Sequence, residues 1–408
     1  MLVAISKNVM TAHSLLSPKA TRPDATLPLL EKGFRPFFLL GAGFATVAVP
    51  LWLLALRGGQ QPGGPFGAMQ WHAHEMLFGF STAIIAGFLL TAVSNWSGRE
   101  TTTGWPLAAL ASLWTLGRFA MFFAEQLPRY APALLDLAFM PALALTCALP
   151  LLAARSRRNY VFVALLLALW MANGVAHSAA LLGTIQTVRI AHRAALDVIV
   201  LMMVLMSGRV VPMFTRNTTR LAWIRSARRL EFGSLGAVLL LTLSDIWPTG
   251  TGLSAALAAA SGVMLLARMR YWGSLHTTRD PLLWTLHLGA LWIPVGLLLR
   301  ATSALTPVVP EGSSLHALTA GAIGLLTLGM MARVSLGHTG RMLALPRGMT
   351  GSFMCLVAAG LVRVLAPLLP SSHYLLGLTV ATVAWSTAFA LFLASYWTIL
   401  VSPRADAR

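Results

Sequence analysis

Twelve separate runs of about 20 apolar residues, the length a helix needs to cross roughly 30 Å of hydrocarbon, succeed one another from residue 36 to residue 401. They fall near 36–56, 70–95, 105–123, 131–154, 160–182, 192–214, 231–247, 252–272, 281–301, 313–335, 349–369 and 374–401. The expected fold class is therefore all-α: a polytopic membrane protein with 12 transmembrane helices. With 57% hydrophobic and 10% charged residues, the composition excludes an ordinary soluble domain, which carries about 25% charge. The formal charge of +18 comes mostly from arginines clustered at the ends of apolar runs, which is a topology signal and not a nucleic-acid footprint. Cys147 and Cys355 lie far apart in apolar runs with no CxxC partner, so neither a disulfide framework nor a zinc knuckle is expected.

Residues 1–35 are polar and basic and read as a cytoplasmic N-terminal arm with no cleavable signal peptide, and 402–408 as a cytoplasmic tail. The arm, the even-numbered connections and the tail hold 21 Lys and Arg, against three in the odd-numbered connections: Arg57, Arg129 and Arg189. By the positive-inside rule both termini are cytoplasmic. The second, sixth and tenth spans then start at the outer face.

Those three spans each begin with a histidine in what reads as the first turn. His74, His192 and His316 stand 118 and 124 residues apart, and each is followed by a matching string that ends 25 residues later: TAVSNWSGR, RVVPMFTRN and RVSLGHTGR. A period of four spans divides the membrane domain, 36–401, into three tandem units, 36–154, 160–272 and 281–401, round an expected pseudo-threefold axis. Arg118 and Arg363 repeat 44 and 47 residues after their histidines, whereas the seventh span has no basic residue at the matching place. Ionisable side chains at one membrane depth are costly and read as functional. Imidazole is the usual protein ligand of haem and a common ligand of copper. His72, His74, His177, His192 and His316 are the candidate ligands, His72 and His74 pointing to opposite sides of one helix. The bland alternative is interfacial snorkelling.

Arg118, Arg193, Arg300 and Arg363 fall near the outer ends of their helices, with Glu75, Asp136, Asp197, Glu125 and Glu311 as the nearest acids. Guanidinium groups without a partner beside a histidine layer suit an anion such as a haem propionate, or lipid phosphate. Arg209 and Arg333 more simply anchor cytoplasmic helix ends. Met202, Met203, Met206 and Met213 on the sixth span, with Met330 and Met331 on the tenth, are soft enough for Cu(I) but read first as core filler. Trp52, Trp71, Trp96, Trp105 and Trp397 read as an interfacial belt. His13, His276, His287, His338 and His373 read as solvated or structural.

The strings KGFRPFFLLGA (32–42), WHAHEMLFGFSTAIIAGFLLTAVSNWSGR (71–99), AHRAALDVIVLMMVLMSGRVVPMFTRN (191–217) and HALTAGAIGLLTLGMMARVSLGHTGR (316–341) resemble the NnrS family of bacterial membrane proteins. The resemblance implies an inner-membrane protein of twelve helices that contains haem, expected here as haem b, and copper, and that protects cells from nitric oxide, often in denitrifying bacteria. It maps the family's histidines onto His72, His74, His192 and His316. The plan is also similar to the catalytic subunit of haem-copper oxidases and nitric oxide reductases. The seventh span has no histidine pair, so a dinuclear centre of that design is not expected. Two classes of function remain. One is reduction of NO at a haem near the periplasmic face, fed by a redox donor; the other is a non-catalytic NO-sensing or protective haem protein, or a transporter of a metal or small solute. Nitric oxide and membrane lipid are the expected partners, and nucleic acid is not.

Overall fold

The computed structural model describes residues 27–60, 62–247 and 250–406. Most of the N-terminal arm, with His13, lies outside them. Every regular element among the described residues is helical. Twelve long helices correspond to the twelve apolar runs: α1 Phe34–Leu56, α2 Gly64–Ser97, α3 Gly104–Phe122, α4 Ala131–Ala153, α5 Tyr160–Leu181, α6 Ile185–Thr219, α7 Arg228–Ile246, α8 Thr251–Met269, α9 Pro281–Leu305, α10 Glu311–His338, α11 Met349–Leu365 and α12 Ser371–Val401. Ten of these are long and apolar enough to cross a membrane, so this is a multi-pass membrane protein. The two that fall short, α3 and α7, carry Arg118 and, in α7, Arg228, Arg229, Glu231 and Asp245. Arg118, Glu231 and Asp245 are neutralised inside the bundle by ion pairs, which hydropathy counted residue by residue cannot register.

Consecutive helices pack side by side and α1 closes onto α12, so the chain forms one bundle. The most buried membrane-length stretches belong to α2, α6, α9 and α10. The three histidine helices are thus inside, and the remaining helices wrap them. The apolar runs underestimate where the histidine helices begin: α6 starts at Ile185 and α2 at Gly64. The extra turns of α6 carry Gln186 and Arg189, polar residues that a hydropathy pattern excludes although they propagate a helix. His74, His192 and His316 consequently stand a turn or more inside their helices, not in the first turn.

The boundary of the arm also moves. Arg35 belongs to α1 and is buried, donating from Nη1 to the carbonyls of Leu400 (2.9 Å) and Ser402 (2.6 Å), while Nη2 lies 3.2 Å from Glu31. The last carbonyls of a helix have no partner within it, and a guanidinium there satisfies them and complements the helix dipole. The GFRPFF string therefore fastens the first helix to the end of the last.

Glycine sets the closest approach of α9 and α10. A Cβ on Gly289 would sit 2.8 Å from the backbone nitrogen of Leu326, and small residues are what let helix backbones approach in lipid. Gly289→Ala is expected to cost about 1–3 kcal/mol through overpacking. Gly337, whose Cβ would meet nothing within 4 Å, is the control: its alanine variant melts at or above the wild-type temperature in detergent.

Candidate functional site

Two of the histidine helices change their winding at the histidine itself. Helix α2 is α-helical over Gly67–His74, π-helical over Glu75–Ser81 and α-helical again over Thr82–Ser97. Helix α10 repeats this as Glu311–His316, Ala317–Ile323 and Gly324–His338. The two π segments are related by the same offset as His74 and His316, whereas α6 runs through as one α-helix. A π turn inserts an extra residue and is found most often at functional sites. In α2 the hydroxyl of Ser81 donates to the carbonyl of Met76 at 2.7 Å, within the π segment. Sequence reading missed these segments, although each has a glycine five residues after its histidine, Gly79 and Gly321. Both are tightly packed: a Cβ would meet Arg118 Nη1 at 2.9 Å in one case and the ring of Trp292 at 2.5 Å in the other.

His72 and His74 do point to different places. His74 enters a buried network between α2, α3, α4 and α5. Its Nδ1 donates to Glu75 Oε1 (3.0 Å), and its Nε2 lies 2.9 Å from Asn173 Oδ1 and 3.3 Å from Asp136 Oδ2. His177 Nε2 lies 3.0 Å from Asp136 Oδ2, and Asn173 Nδ2 donates to that oxygen at 2.6 Å. Arg118 Nη1 reaches Glu75 Oε1 at 2.6 Å while Nη2 pairs with Asp136 Oδ1. Ligand atoms of His74, Asp136 and His177 all lie within 4.8 Å of one another, close enough to hold a metal ion. Two carboxylates face one guanidinium, and the second negative charge is one that a protonated imidazole or a cation can offset. The Glu75–His74 hydrogen bond is of the kind that, in metal sites, orients the ligating imidazole. Asn173, one helical turn before His177 on the same face, was missed; a polar pair at that spacing in an apolar run is its signal.

The other histidines line a central cavity of about 470 Å³ between α2, α6 and α10, walled by side chains such as Leu77, Phe80, Leu196 and Ile323. Here His72 stacks on Trp52 with centroids 4.2 Å apart, His192 Nδ1 donates to Gln70 Oε1 at 3.1 Å, and His316 Nδ1 donates to the Gly312 carbonyl at 2.7 Å. With Nδ1 carrying the proton in each of the last two rings, Nε2 keeps its lone pair. His192 Nε2 is buried with no hydrogen-bond partner, and so is Arg363 Nη1, whose side chain lines the same cavity. The two regions are neighbours, since the rings of His74 and His192 are 6.1 Å apart with Phe66 packed against both.

Arg118 and Arg300 are not without partners. Arg300 Nη1 lies 3.0 Å from Asp197 Oδ1 and Nη2 pairs with Asp245 Oδ2; Arg193 pairs with Glu311 at the cavity's edge. Asp245 on α7 was missed, and an acid closing an otherwise apolar run was its signal. Trp52 and Trp71 are buried, 3% and 1% exposed, and so belong to the packing of this region and not to an interfacial belt. His287 is held between Thr215 (2.8 Å) and Ser274 (2.9 Å), a structural role.

No curated protein matches the chain. Over residues 28–404, however, the sequence matches the family described as NnrS protein. GFRPFF places Arg35 on the end of α12, and WHAHEMLFG supplies His72, His74, Glu75 and the start of the first π turn; with these and nearly every other described residue inside the match, the chain belongs to the NnrS family.

Proposed function

We propose that this is a haem- and copper-binding protein of the bacterial inner membrane that acts in nitric oxide metabolism and nitrosative-stress defence, reducing NO at a haem b near the periplasmic face. All twelve long helices then span the bilayer as three four-helix units round a pseudo-threefold axis, with both termini cytoplasmic. The observation that carries the reading is the central cavity, where a buried imidazole nitrogen and a buried guanidinium nitrogen both lack partners amid apolar walls. The cavity's volume lies in the range of roughly 300–1,000 Å³ usual for ligand pockets. The residues fit a flat apolar group with a metal at its centre and acids at its rim.

His72, His192 and His316 would hold such a haem, Arg363 and, beyond it, Arg193 would take its propionates, and His74, Asp136 and His177 would hold the copper. Bound haem supplies a one-electron redox centre that takes a diatomic ligand. The chain's own part is orientation. Gln70 and the Gly312 carbonyl hold Nδ1 of His192 and of His316 and leave Nε2 as the free nitrogen of each ring, and Trp52 holds the plane of His72. Removing such an outer contact typically weakens metal binding by roughly 10–100-fold. Gln70→Ala is accordingly expected to weaken haem retention by that factor in a haem-transfer competition while His74 and the copper are left in place.

Reduction of two NO to N₂O and water takes two electrons and two protons. Anaerobic titration of the reduced, purified protein with NO tests the reading. A shifted Soret band with N₂O released in half the amount of NO consumed supports it. A shifted band with no N₂O supports the non-catalytic protective role, and a colourless protein opposes both.

A further inference from the structure

Beneath the histidine layer, a second cavity of about 110 Å³ lies between α2, α6 and α10, and it shares Ser81 and Ile323 with the central one. Its lining includes four methionines, Met202, Met203, Met206 and Met330, and no charged residue. It has three hydroxyls, and each donates to a carbonyl of its own helix: Ser81 to Met76 (2.7 Å), Ser207 to Val204 (3.4 Å) and Thr327 to Ile323 (2.7 Å). Their protons are engaged, so a water there would find no donor and only hydroxyl lone pairs to bind. Apolar cavities of roughly 150 Å³ stay dry and take xenon or small apolar molecules, while a ligand that needs hydrogen bonds would lose them here. A Cu(I) ion would find thioethers but no anion to balance its charge, and a buried charge without a counter-charge is disfavoured.

We infer that this cavity is a binding site for a small uncharged diatomic gas, an antechamber that holds the gas beside the central cavity. The inference rests on the reading of the central cavity as the place where NO is used, and it names where the NO waits. A gas that partitions into apolar surroundings is concentrated there by the hydrophobic effect alone.

Xenon is the probe, located by its anomalous scattering in crystals of the full-length protein equilibrated with the gas; this readout needs neither haem nor turnover. Xenon is expected in the cavity in the wild type, lost in Thr327→Phe, which fills it, and increased in Met206→Ala, which enlarges it. Because the two variants move occupancy in opposite directions, a folding defect in one leaves the other decisive. A wild-type cavity without xenon, or occupancy unchanged by Met206→Ala, overturns the inference. Colourless protein that still binds xenon here would refute the haem reading and leave the gas site standing. Haem-loaded protein whose cavity stays empty would do the reverse.

Discussion

Arg118→Met is expected to destabilise the protein by about 3–5 kcal/mol, the usual cost of removing one partner from a buried ion pair. Arg118 is 7% exposed and is the one guanidinium between Glu75 and Asp136, which are 1% and 2% exposed. Without it two carboxylates face each other with only imidazole and amide groups near them. Glu75→Gln/Arg118→Met/Asp136→Asn, which removes all three charges together, should recover much of the loss, because neutral isosteres of a buried ion network are often close to neutral in effect. The measurement is the thermal midpoint of detergent-solubilised protein, followed by helical circular dichroism. A single variant within about 1 kcal/mol of wild type, the value of an exposed ion pair, would show that the network is hydrated and not the anchor described here.

The second large effect separates the two histidine groups. His192→Ala and His316→Ala each delete a ring that lines the central cavity, and both are expected to abolish the Soret band and haem iron. His74→Ala should keep the Soret band and lose the copper, because His74 faces Asp136 and His177 across the helix from His72. Absorbance spectra and elemental analysis of the three variants at matched protein concentration decide the assignment. The reverse pattern, with haem lost from His74→Ala and kept by the other two, would exchange the roles of the two sites.

Much of this was legible in the sequence because lipid imposes a simple rule, that a spanning segment must satisfy its own backbone hydrogen bonds. The twelve helices and the convergence of the second, sixth and tenth follow from counting apolar residues and histidine spacings. The opposed directions of His72 and His74 follow from helix geometry. What could not be read depends on tertiary pairing. Arg300 finds Asp245 from a helix 55 residues earlier in the chain, so although an acid closing an apolar run marks Asp245, nothing local names its partner. The single histidine layer became two regions because the network around His74 is completed by Asn173 and His177 from α5. The π turns after His74 and His316 were hidden because π and α windings have nearly the same composition, and only the paired Gly79 and Gly321 hint at them.

Iron and copper per chain, measured together with the visible spectrum on detergent-purified wild-type protein, test the central claim most directly. The account predicts stoichiometric iron with a Soret band that shifts when NO is added, and copper that departs with the side chains of His74, Asp136 or His177. Fully helical, colourless protein with neither metal would contradict it.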